Sequence, residues 1–187
     1  TKPVDAYFPA IGPTHMAQVA GGAFQQGLTP LSMMAAPSFN DAFVREGFAL
    51  APLFTSGSMY LMAFVAPYEA ETAGHATMRA TFTAMGIDSA NTFLVAGWSS
   101  QHHLKGVLEA ANKGGDLTRA GIRRAAGSVY VDSDGMMPQR ELGQNRADAE
   151  SFIAVPDGTI ASGVKLLAGN YVGPSAGGYD WESGPCS

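Results

Sequence analysis

The sequence predicts an α/β fold with a parallel sheet, and three observations carry that expectation. Residues 4–35 spell strand, helix, strand; residues 69–126 spell three helices in succession; and the remainder is turn-rich with two further short apolar runs. A strand–helix–strand unit implies parallel strands joined by a right-handed crossover.

The elements follow in order. Val4–Pro9 reads as a short apolar strand, and Ala10-Ile11-Gly12-Pro13 as a turn. Thr14 is placed to cap a helix, its hydroxyl accepting an early backbone N–H. Met16, Val19, Ala20, Ala23 and Phe24 fall at helical spacing, and Gly27 suits a left-handed stop. Leu31–Ala35 is a second apolar strand, ending at Pro37. Ser38–Glu46 is a short helix or turn, and the apolar run Phe48–Phe54 reads as a strand broken by Ser56-Gly57-Ser58.

Glu69–Met85 predicts a helix, since Ala70, Gly74, Met78 and Phe82 recur every fourth residue before Gly86. A second helix runs from about Asn91 to Asn112. Its apolar side carries Leu94, Val95, Trp98, Leu104, Val107, Leu108 and Ala111, and Gly114-Gly115 ends it. Thr118 caps a third, through Ala126. Ser128–Val131 and Ser151–Val155 read as strands, Pro156-Asp157-Gly158-Thr159 as a turn, and Pro174–Ser187 as an exposed tail.

Composition bounds the function. The chain has 187 residues, 46% hydrophobic and only 14% charged, so extensive disorder is not expected. A net charge of -5 with 11 Lys+Arg gives no basic stripe for nucleic acid. A single Cys, Cys186, excludes an internal disulfide framework and a cysteine-rich zinc module within these residues. No apolar run approaches the ~18 residues that would suggest a membrane span, and no signal-peptide or lipid-attachment pattern is present. The chain opens at Thr1 and runs almost at once into an apolar strand, which we expect of a mature or truncated polypeptide.

Motifs of chemistry are sparse. Gly97-Trp98-Ser99-Ser100-Gln101 lacks the second glycine of a nucleophile elbow and lies within a helical pattern, so Ser99 is expected on the helix surface or facing the core. His102 and His103 are neighbours on a helix and point about 100° apart, which disfavours a shared metal. Asp132-Ser133-Asp134-Gly135 lacks the third ligand and terminal glutamate of a calcium loop and reads as a polar turn. Met33-Met34 and Met136-Met137 read as core or cleft filler, and Arg119, Arg123 and Arg124 as a solvated helix face. No glycine-rich dinucleotide or phosphate loop occurs. We therefore expect no metal, no cofactor and no catalytic set. A binding protein needs none of these, only rigid lobes, a cleft and loops with backbone donors.

One stretch is more specific. Phe93-Leu94-Val95-Ala96-Gly97-Trp98-Ser99-Ser100 is followed by Leu104, Val107-Leu108-Glu109-Ala110-Ala111 and Gly114-Gly115-Asp116-Leu117-Thr118-Arg119-Ala120-Gly121-Ile122. It resembles the late helical segment of the extracytoplasmic solute-binding proteins of branched-chain amino acid and amide ABC transporters, the type I periplasmic binding protein family. Lys2–Ala6 with the strand, loop and helix that follow, up to Gly27-Leu28, resembles that family's second lobe, and Pro156-Asp157-Gly158 its late hairpin. The resemblance runs from Lys2 to about Leu167. Gly121 departs from the family's pattern, standing where an acidic residue would complete a capping box.

The resemblance implies three-layer parallel-sheet lobes, incomplete here because family members are roughly twice as long. Residues 1–90 would belong to the second ligand-binding lobe. Residues 91–187 would supply helices and a return segment toward the first lobe and hinge, with a tail from about 171. It further implies a small amino-acid-like, amide or aromatic solute trapped between two lobes, and no enzymatic activity. The implied partners are an ABC permease and the missing N-terminal half, with a homodimer through exposed strands as another possibility. The implied location is extracytoplasmic, in the periplasm or lipid-anchored at the cell surface. A ligand-sensing domain of the same fold is the alternative. Carried onto this sequence, the ligand-binding positions are Ile11, Gly12, Pro13, Thr14, Ala36, Ser38, Phe39 and Phe93. Ala35 and Ala36 stand where amino-acid binders place an acid, which favours a less charged solute. Cys186, if exported, would seek a partner in the absent half or remain a free thiol.

Overall fold

The computed structural model describes residues 4–88, 91–138, 140–141 and 150–177. In chain order the strands are β1 (Ala6–Tyr7), β2 (Leu31–Ala35), β3 (Met59–Ala63), β4 (Tyr130–Val131), β5 (Arg140–Glu141), β6 (Glu150–Pro156) and β7 (Val164–Val172). The helices are α1 (Pro13–Gln25), α2 (Ala51–Phe54), α3 (Ala73–Ala84), α4 (Thr92–Lys113), α5 (Arg119–Ala126) and α6 (Pro174–Gly177). Single 3₁₀ turns occupy Ala36–Ser38 and Asp41–Val44.

The main sheet has the order β1-β2-β3-β6-β7. β1, β2 and β3 are mutually parallel, and β6 and β7 join antiparallel. The expected βαβ unit is therefore present, with Tyr7 opposite Ser32 and Met34 opposite Leu61. β4 and β5 form a separate small ribbon.

Two buried clusters flank a thin seam. The first lies between one sheet face and α1: Met16 and Ala20 meet Met34, Leu61, Ala154 and an aromatic group of Phe39, Phe43 and Phe54. The second is helical: Val65, Met78, Phe82 and Val95, closed by Met136 and Met137. Between them sits a seam of small side chains, Ala36, Ala63 and Ala66, with Phe152. The opposite sheet face is partly open, with Leu31 45% and Met62 49% exposed.

Several expectations are corrected. Only Ala6–Tyr7 of the first apolar run pairs as strand. Thr14 does not cap α1: Pro13 takes the first helical position and Gly12 the cap, without a side-chain bond, as the fixed φ of proline favours. Phe48–Phe54 is not a strand, since Ala51–Phe54 is a helical turn with Pro52 in its first positions and proline cannot donate to a ladder. Its phenylalanines instead stack with Phe43, at 5.4 Å for Phe48 and 4.6 Å for Phe54. α3 begins at Ala73 rather than Glu69, because the Thr72 hydroxyl caps it on His75 N–H. The apolar side of α4 is half covered: Val95, Val107 and Ala111 are buried, while Leu94 and Leu104 are exposed. β3 and β7 lie outside the expected strands, and β7 stays paired, across register shifts, as far as Val172, opposite Glu150. Residues 178–187, with Cys186, lie outside the described residues.

Other expectations hold. β2 spans the expected Leu31–Ala35. Thr118 caps α5 through its side chain, α4 starts near the expected Asn91, which turns out to cap it, and Gly27 and Gly86 adopt φ of 73° and 75°. Ser99 faces the core, its Oγ donating to the Val95 carbonyl at 2.8 Å. Met34, Met136 and Met137 are core. The missing capping-box acid at Gly121 has a physical reason: a Cβ there would lie 2.1 Å from the Asp116 carbonyl oxygen.

The helical cluster depends on close approach at Gly74. A Cβ there would lie 2.5 Å from Met136 Cγ and 2.8 Å from the Ser133 carbonyl oxygen. The second contact is backbone and cannot rotate away. We expect Gly74→Ala to cost about 1–3 kcal/mol through overpacking, read as a lowered midpoint in urea unfolding. A midpoint equal to that of the parent chain would show that the 133–136 turn is not seated on α3.

Candidate functional site

The carboxyl ends of parallel strands are where open α/β sheets gather ligand loops. Here those ends carry Pro9–Gly12 after β1 and Ala36–Phe39 after β2. The two loops are tied together. The Ile11 N–H donates to Ser38 Oγ at 3.1 Å, the Ser38 hydroxyl reaches the Pro9 carbonyl at 3.4 Å, and Ala35 N–H donates to that carbonyl at 3.1 Å. Ser38 is buried at 1% exposure, so these bonds are shielded from competing water.

The eight expected positions therefore divide. Ile11, Gly12 and Thr14 line an exposed rim at the start of α1, with Pro13 half-buried beside them. Ser38 joins that rim from beneath. Ala36 is buried in the small-residue seam. Phe39 is buried in the main core, edge-on to Phe43 at 5.9 Å, and supports the loop from beneath. Phe93 stands about half exposed in the first turn of α4. α4 packs against the 36–38 turn.

No charged side chain lies within Phe8–Thr14 or Ala35–Phe39. Asp41 is the nearest acid, and it pairs with Arg45 at 3.4 Å. Arg45 also donates to the carbonyls of Ile160 and Ala161 in the β6–β7 turn. These ties were not foreseen from the sequence; only the four-residue spacing of Asp41 and Arg45 hints at them. Among the described residues no group of three or more His, Cys, Asp or Glu could hold a metal ion, and no helix is long and apolar enough to cross a membrane. A shallow open depression lies near the other ends of β2 and β3, lined by Tyr7, Leu28, Pro30, Ser58 and Met59.

His75 is fully buried. Its Nδ1 meets the Thr72 hydroxyl at 2.8 Å, and its Nε2 meets the Ala66 carbonyl at 3.2 Å. A carbonyl only accepts, so Nε2 carries the proton and Thr72 donates to Nδ1. Burial disfavours the charged ring and holds its pKa below the usual histidine value, against the opposing pull of the Ala66 carbonyl. It joins the helical cluster to the segment leaving β3.

Two predictions follow from these bonds. Ser38→Ala leaves the Ile11 N–H without its partner, which we expect to cost about 1 kcal/mol and to accelerate amide exchange at Ile11. Unchanged exchange at that amide would mean the loops are not joined through Ser38. Because the folded state favours neutral His75, its stabilisation is present above the ordinary histidine pKa near 6.5 and is lost as pH falls through the lower folded value. Melting temperature should therefore drop on acidification below pH ~6.5, and His75→Gln should flatten that dependence. Equal slopes for both proteins would remove His75 as the cause.

No protein-family model matches the sequence, and no curated protein matches it. Solved structures do resemble the fold. A fatty acid ABC transporter substrate-binding protein from Thermomonospora curvata superposes with a TM-score of 0.80 at 21% identity, over 94% of this chain and 45% of that one. An ABC transporter substrate-binding protein from Aeropyrum pernix superposes with a TM-score of 0.66 at 14% identity, over 92% of this chain and 46% of that one. The chain thus spans under half the length of either protein. Over that span it has the α/β fold of ABC transporter substrate-binding proteins, as one incomplete part of it.

Proposed function

We propose that the chain is part of the extracytoplasmic solute-binding component of an ABC importer. It would trap a small solute against the β1 and β2 loops and deliver it to a permease, without turnover. The observation that carries this reading is the joining of those two loops by the buried Ser38, at the ligand-binding end of a sheet with the substrate-binding-protein fold. Further polypeptide would complete the lobes. It would cover the open sheet face at Leu31 and Met62 and supply the facing wall of the cleft, with Phe93 on that side.

The chemistry of the loops narrows the solute. An α-amino acid needs a free carboxylate for its ammonium group, and Asp41 is held by Arg45. The rim offers Ile11 and the backbone of Gly12 instead. We read the solute as uncharged at this wall, or as presenting an apolar tail to it. The Thermomonospora protein is named for fatty acids, and that class suits an apolar rim better than a branched-chain amino acid does.

The test is native mass spectrometry of the 187-residue chain with a panel of medium- and long-chain fatty acids, aromatic acids and branched-chain amino acids. We expect a one-to-one adduct with an acyl or aromatic member and weaker signal for the amino acids. Ile11→Asp should reduce the adduct by roughly tenfold, about 1.4 kcal/mol. Equal binding of all three classes, or an unaffected Ile11→Asp, would contradict the assignment of this rim. Adducts with none of them would count against solute binding by these loops.

A further inference from the structure

The two larger buried clusters are distinct, a third and smaller one gathers Ala36, Ala63, Ala66 and Phe152, and the chain passes from the sheet to the helical cluster through Phe64–Thr72. That crossing is gripped from both sides. From the helical side, Arg79 of α3 donates through Nη1 to the carbonyls of Tyr68 and Ala70, both at 2.9 Å. From the sheet side, Glu69, the residue between those two, accepts from the Ser162 backbone N–H at 2.9 Å and from the Ser162 hydroxyl. Ser162 is 2% exposed, so the carboxylate is held in a shielded, two-point geometry, the strong form of such a bond.

The β6–β7 turn that carries Ser162 is itself fixed to the loop after β2. Arg45 donates to the carbonyls of Ile160 and Ala161. A Cβ at Gly158 would lie 2.6 Å from the Val44 carbonyl oxygen, and Gly163, at φ 80°, lies against Asp41. The turn thus bridges the loop that follows Ser38 and Phe39 to the crossing segment, over sequence separations of 115 and 93 residues.

We propose that Arg45 and Glu69 are positioning residues: with the β6–β7 turn as a splint, they set the helical body (α3–α5) relative to the β1–β2 loops. Apart from Phe152 the seam is made of alanines, which offer little interdigitation to resist sliding or rotation. The polar splint supplies that resistance. This rests on the solute-binding reading only for its use, since a fixed angle between the bodies would fix the distance from Phe93 to the Ile11 rim.

The experiment needs no solute. Spin labels are placed at the exposed Gln18 on α1 and Gln101 on α4, in a Cys186→Ser background of the full chain. The parent should give one narrow distance distribution. Glu69→Ala should broaden or shift it by about 5 Å, the scale of a hinge or shear step, and raise amide exchange at Ser162 about tenfold. Ser162→Ala, which keeps the N–H bond, should give a smaller change of the same kind. Glu69→Gln, which retains two hydrogen-bonding atoms, should restore most of the parent distribution, whereas Glu69→Met, which fills similar space without them, should behave as Glu69→Ala does. Should Glu69→Ala not fold, Ser162→Ala and Arg45→Lys carry the test. A distance distribution unchanged in the folded variants overturns the proposal. That result is separable from failure of solute binding, which leaves these distances untouched.

Discussion

The structure turns on the double pairing of β3. Its five residues hydrogen-bond in parallel to β2 on one edge and antiparallel to β6 on the other. The first edge makes β1, α1 and β2 a βαβ layer; the second brings residues 150–172 back into the same sheet. Without β3 the carboxyl ends of β1 and β2 would have no floor, and the β6–β7 turn would have no route to Arg45 and Glu69. Met59, Leu61 and Ala63 point into buried clusters while Met62 on the other face is about half exposed. One strand therefore both fixes the register of the sheet and fills its core.

The strand's exit fixes what comes next. Immediately after β3, Ala66 gives its carbonyl to His75 and its N–H to the Met136 carbonyl. The crossing segment is thus anchored to α3 and to the 133–137 turn before it reaches Glu69. Buried polar groups are costly unless paired, and here nearly every one on this path has a named partner. The apolar contacts at the seam are small, so orientation is assigned to directional bonds rather than to bulk. That division of labour suits a molecule whose two bodies must hold a defined angle.

How much was legible in the sequence follows from local physics. Caps are local, so Thr118 declares α5 through a side chain that bonds three residues ahead, and Asn91, which bonds Phe93 and Leu94, marks the start of α4 in the same way. β2 was legible because turn residues bracket a short apolar run. β3 was not: Met59-Tyr60-Leu61-Met62-Ala63 is apolar at every position, and an unbroken apolar run shows no period of two. β7 was not because its pairing with β6 shifts register, with Asn170 at φ 49°, which scrambles the alternation. Thr14 misled because Pro13, one residue earlier, already supplies a pre-set helix start. The site was legible in part. The family resemblance names Ile11 and Ser38, but their bond spans 27 residues, and the contact of Phe39 with Phe43 inside the core has no mark in the resemblance. Glu69 and Ser162 leave no local trace, since they lie 93 residues apart, and Arg45 shows only its four-residue spacing from Asp41, its carbonyl partners lying 115 and 116 residues away.

On the proposed reading, the same geometry would let an uncharged rim be specific. A charged site draws affinity from a point interaction that tolerates some looseness. An apolar rim has only shape and excluded water to work with, and both depend on the walls being held to a fraction of an ångström. Ser38 fixes the two loops against each other, Phe39 and the stacked phenylalanines fix the second loop from below, and Arg45 fixes its far end to the hairpin. Asp41 is the one acid near the rim, and it is spent on that support rather than offered to a ligand. On the proposed solute-binding reading, a carboxylate used in this way trades an ammonium contact for rigidity, which suits a solute that would meet this wall through carbon.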